Sequence, residues 1–127
     1  MKAFKILGFT ILLIVIVGMA GVFYLSRGLE EVLNVSINSV DLSEAEDGVY
    51  KGSFDFGRWC NELNVTVENR KITKIEIEED VKFANEEVSR LLFQRVIEKQ
   101  NTTVDTVSGG TVTSKAYLKS IEDALNK

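Results

Sequence analysis

No histidine and no proline occur among these 127 residues, and cysteine appears once, as Cys60. Without histidine the commonest general base near neutral pH is missing, and so is the commonest neutral metal ligand. Nucleophilic sites of the Ser-His-Asp or Cys-His type are excluded within the chain. Zinc sites built from Cys and His are excluded too, because Cys60 stands alone. One thiol makes no intrachain disulfide, and Cys60 reads as a small buried apolar residue rather than a redox group. No metal is expected: the acids of "EIEED", 76–80, read as an exposed strand face. Basic charge is also scarce. Beyond residue 25 the chain has thirteen Lys and Arg against nineteen Asp and Glu, a net of −6. Such a body has no electrostatic footprint for nucleic acid.

What the chain has in abundance is placed at its start. Lys2 and Lys5 are followed by an uncharged run from Ile6 to Leu25. Twenty residues rising about 1.5 Å each match a hydrocarbon core of about 30 Å. Two lysines precede the run and none follows closely, which favours a cytoplasmic N-terminus and an exported body. The alternative is a cleaved signal peptide, with Gly18 and Ala20 as small residues before a cut. The apolar run exceeds a usual signal h-region, so an uncleaved single-pass anchor in the cell membrane is expected over residues 1–25. Residues 26–46 are polar with scattered apolar positions and read as a linker or a helix extension.

The body, 47–127, alternates and then turns helical. In "DGVYKGSFDF", 47–56, Tyr50, Gly52, Phe54 and Phe56 share one parity, as on a strand with one apolar face. "ELNVTVENRKITKIEIEED", 62–80, reads as a hairpin turning at Asn69-Arg70. "ANEEVSRLLFQRVIEKQ", 84–100, carries Val88, Leu91, Leu92 and Val96 on one helical stripe. "SKAYLKSIEDALNK", 114–127, does so with Tyr117, Ile121, Ala124 and Leu125. The expected class is α+β: a small antiparallel sheet with helices packed on one face, preceded by one transmembrane helix. Tyr50, Phe54 and Phe56 read as core; Trp59 divides evenly between core and a ligand contact.

Between the helices lies "VDTVSGGTVTSKA", 104–116. A helix start leaves backbone N–H groups unpaired and carries partial positive charge. Gly109-Gly110 allows close backbone approach, Thr113 or Ser114 offers a cap, and Ser108 and Thr111 add hydroxyls. The stretch is competent to hold a phosphate. On these grounds alone a plain loop before a capped helix is the favoured reading, with an anion site second.

"DTVSGGTVTSKA" resembles the flavin-attachment motif of the FMN-binding domain family: Asp, two residues, Ser or Thr, Gly, Ala, then Thr or Ser. The family's DGxYxG element is matched by Asp47, Gly48, Tyr50 and Gly52, and its "KIT" by Lys71, Ile72 and Thr73. The resemblance spans roughly 47–127, and the chain departs from it at Gly110, where the family usually has Ala. It implies FMN joined through its phosphate to Thr111 by a separate flavin transferase. Asp105 is then the motif acid, and Ser108, Gly109 and Gly110 form the phosphate-holding turn, with Thr113 and Ser114 beside it. It further implies an extracytoplasmic electron-transfer flavoprotein serving redox partner proteins or a quinone, more a carrier than a self-contained enzyme. The alternatives are an exported module of the same fold without flavin, or an accessory subunit of a membrane redox complex.

Overall fold

The computed structural model describes residues 1–126. Helix α1 (Lys2–Ser26) buries none of its residues and is apolar on every side, as a helix in lipid would be. It is long and apolar enough to cross a membrane. It ends at Arg27, and Gly28 turns the chain with φ +86° into a short helix, α2 (Leu29–Leu33).

Three strands follow: β1 (Gly48–Phe54), β2 (Asn61–Glu68) and β3 (Lys71–Glu79), in the antiparallel order β1-β2-β3. The β2–β3 turn is Asn69-Arg70, with φ +54° and +62°, the paired left-handed conformation that a two-residue hairpin needs. The register slips by one between Thr66 and Val67, leaving Thr73 unpaired. That bulge puts Ile72 on the same face as Ile75 and Ile77, which strict alternation does not do. The outer face is wet and ionic: Lys51 reaches Glu62 and Glu78, and Asn64 bonds Glu78.

Helices α3 (Glu86–Lys99) and α4 (Thr111–Leu125) cover the inner face. Asn85 caps α3, its Oδ1 accepting from Glu87 N at 3.0 Å. At the other end Gln100, at φ +58°, bonds both Ile72 N and Ile72 O and so occupies the open edge of β3. Tyr117 is fully buried and meets Phe93 edge-on, with ring centroids 5.5 Å apart. Trp59 resolves to the core at 1% exposure. It ends a 3-10 turn over Gly57–Trp59.

Strand β1 and helix α4 pack backbone to backbone. A Cβ on Gly52 would lie 1.9 Å from Ser120 O and 2.7 Å from Ala124 N. Ser53 N donates to Asp123 Oδ2 beside it, at 3.0 Å.

Residues 26–46 are neither a free linker nor a simple helix extension. Val32 and Val40 are buried in the core, and the segment runs along α4 through polar staples. Lys115 bonds Leu33 O, Lys119 bonds Ser36 O, and Thr102 Oγ1 donates to Asn38 O at 2.6 Å. Asn38 donates from its backbone N and Nδ2 to Glu122, at 3.2 and 2.9 Å. Scattered apolar residues hid this packing, because an irregular strap has no period to detect.

Glu122 is buried, which pushes its carboxyl pKa up, but the Asn38 bonds and the Lys119 ammonium outweigh burial and hold it below the ordinary glutamate range. A carboxylate whose pKa falls on folding stabilises above its unfolded value of about 4.3, and that contribution fades as pH drops through the folded value. We expect Glu122→Gln to lose about 1–3 kcal/mol at pH 7. The gap to the native chain should narrow below about pH 4 in urea titrations. Gly52→Ala should cost about 3 kcal/mol or more, because helix backbone rather than a side-chain tip must retreat. Thermal melts of the two variants check both expectations.

Candidate functional site

The stretch between α3 and α4 is built on one tight turn. Gly110 N donates to Val107 O at 2.9 Å, and Gly109 between them takes φ +83°, the sign a type II turn demands at its third residue. Helix α4 then begins at Thr111, with Gly110 as its N-cap. The expectation that Thr113 or Ser114 caps this helix is corrected: both lie inside its first turn. Ser114 is fully buried, and its Oγ accepts Val107 N at 3.1 Å, tying the turn back onto the helix. Thr113 is half-buried on the same turn.

The consequence is an open helix start. No side chain caps α4, and no acid stands in its first turn. Thr111 is exposed at the first helical position, with Ser108 and Gly109 exposed beside it. Backbone N–H groups at such a start have no helical partner, and the dipole favours negative charge there. A phosphate diester therefore fits the residues present: a charged acceptor for orphan donors, next to a hydroxyl that solvent reaches.

Asp105 lies upstream, also exposed. Its carbonyl and that of Thr106 accept from Arg95 Nη1 at 3.0 and 3.1 Å, so α3 holds the approach to the turn in place. Arg95 was not singled out by sequence, since an Arg on a helix surface carries no local signal of what it reaches.

Gly110 has a packing cause. A Cβ there would lie 2.8 Å from both γ-methyls of Val88, a buried residue in the first turn of α3. The missing methyl at 110 makes room for the branched side chain at 88, and the starts of the two helices close on each other at this point.

The DGxYxG element lies elsewhere. Asp47 Oδ1 accepts Asn69 N at 2.8 Å and locks the hairpin turn to β1, and Tyr50 Oη donates to Glu46 O at 2.7 Å. Gly52 seats the C-terminal half of α4. Its residues position the helix whose other end carries Thr111. Phe54 and Phe56 stack with centroids 6.5 Å apart, the first packed on the core and the second partly exposed. Cys60 donates to Asp55 Oδ1 at 2.8 Å; burial, then that carboxylate, raise its thiol pKa and keep it protonated. Among the described residues no group of acids and Cys60 is arranged to hold a metal ion.

One family model, that of the FMN-binding domain, matches residues 61–126, a little over half of the chain. The matched span holds β2, β3, both covering helices and the 105–111 turn, and begins after β1. No curated protein matches the sequence.

The Gly110–Val88 contact is testable. Gly110→Ala should destabilise by about 1–3 kcal/mol through overpacking. Adding Val88→Ala should recover part of that loss, with a coupling of about 1 kcal/mol in a double-mutant cycle measured by urea unfolding.

Proposed function

The chain belongs to the FMN-binding domain family, and from that premise we propose a membrane-anchored, extracytoplasmic flavoprotein that carries FMN through Thr111 and passes electrons. The FMN cofactor follows from the family; the bond, the anchor and the electron transfer are our reading. The observation that carries it is the open start of α4, where exposed Thr111 stands at a helix N-terminus with neither a side-chain cap nor an acid.

Each residue has a role in that reading. Thr111 Oγ1 would hold the flavin phosphate as an ester, with a transferase supplying FMN from FAD and AMP leaving. The N–H groups of the first turn would face the remaining negative charge of that diester. Ser108 adds a hydroxyl donor, and Gly109 keeps side chains out of the anion's path. Ser114 and Arg95 position the turn from behind. Asp105, exposed and held by its carbonyl, faces outward where a transferase reaches it. When bound, the isoalloxazine ring supplies the one- and two-electron chemistry. The anchor is residues 1–25, and the redox partners are proteins or a quinone at the membrane. A tether suits an exported carrier, because a dissociating cofactor is lost to the medium.

Expression with a flavin transferase should give a yellow protein whose intact mass exceeds the polypeptide by FMN less one water. Thr111→Ala should lose that mass entirely, and Thr111→Ser should keep it. Retention of the adduct in Thr111→Ala would move the acceptor to Ser108, and no adduct in the native chain would refute the ester.

A further inference from the structure

We propose that the cavity where the anchor meets the domain is a site for the headgroup of an anionic phospholipid. The cavity is about 510 Å³ and is lined from both sides of the junction. Tyr24 and Arg27 come from the end of the anchor; Phe56, Arg58, Lys82 and Phe83 come from the domain. Gly28 fixes the joint between them: at φ +86°, a Cβ there would lie 2.5 Å from the Phe56 ring.

Its charge runs against the rest of the body. Three cations face it with one acid, Asp55, whose carboxylate already accepts the Cys60 thiol. The body as a whole is net −6, so a local excess of positive charge here is a specific feature. Arg58 sets the chemistry. Its guanidinium lies 4.4 Å from the Trp59 ring centre and 5.8 Å from that of Phe83. Its Nε is buried without a hydrogen-bond partner, alone in this among the side-chain nitrogens and oxygens of the described residues. A buried donor left unpaired costs stability until an acceptor arrives. A phosphate oxygen is the acceptor a guanidinium fits best.

The apolar lining points to a lipid as the phosphate's carrier. Phe83 is 76% exposed on a turn, in a left-handed conformation at φ +59°. Tyr24 is 65% exposed beside it. Exposed aromatics next to cations, one turn from the end of a membrane-length apolar helix, have the composition of the interfacial belt. A phosphate at this level belongs to the outermost part of the bilayer, with its glycerol and first methylenes against Phe56 and Phe83.

The inference rests on α1 crossing the membrane and is independent of the flavin. Alkaline carbonate extraction reads the anchor separately: release of the chain from membranes means that α1 does not span. For the site, the full chain in neutral detergent is titrated with dihexanoyl phosphatidylglycerol, with dihexanoyl phosphatidylcholine and with inorganic phosphate. The reporter is the emission of Trp59, the chain's one tryptophan. We expect a saturable change with phosphatidylglycerol that the other two do not give at the same concentrations. Arg58→Gln should weaken it about tenfold, the loss of one charge-assisted hydrogen bond. Should Arg58→Gln misfold, Lys82→Gln, at an exposed position, gives the same direction with a smaller effect. An equal response to phosphatidylcholine would leave only an apolar groove, and an equal response to phosphate only a soluble-anion site. Either result overturns the proposal.

Discussion

Everything in this domain hangs on how close α4 comes to β1. At Gly52 the helix backbone occupies the space a side chain would fill, with Ser120 O 1.9 Å from the missing Cβ. The helix is small where it faces the sheet: Ala116, Ser120 and Ala124 are all buried. Ser120 Oγ also donates to Asn61 Oδ1 of β2 at 2.6 Å, so this buried polar pair is satisfied. Close approach of two backbones removes rotational freedom from the helix, and a helix that cannot roll presents the same start to solvent.

That start is the candidate site, and its shape is decided at both ends of α4. The first signature, Asp47 to Gly52, holds the far half of the helix and the hairpin turn. The second, Asp105 to Thr111, is the near end. The two lie at opposite ends of one helix. Val88 against Gly110 then sets how tightly the starts of α3 and α4 close, and Ser114 and Arg95 fasten the turn from inside. The outcome is an exposed threonine at the start of a helix that is fixed along its length.

Much of this was legible in the sequence because it is local. The Asn69-Arg70 turn, the alternation of β2 and the stripe of α3 each depend on residues a few positions apart. The Gly109 turn and Thr111 were readable as chemistry for the same reason. The cap was not: Ser114 had the right type of oxygen but turns inward to Val107, because the turn closing at Gly110 starts the helix three residues earlier. The strap at 34–46 was not legible either. Asn38 holds it to Glu122 of α4, and Asn101 and Thr102 hold it to the end of α3, polar residues distant in sequence with no periodic signature.

The sequence by itself determined the class of the fold and the membrane-length apolar run, since those follow from period and length. Only the tertiary structure decided which hydroxyls face outward, why residue 110 lacks a methyl, and that Arg27, Arg58 and Lys82 share one cavity. Those are distances between residues far apart along the chain, and no property of the intervening sequence carries them.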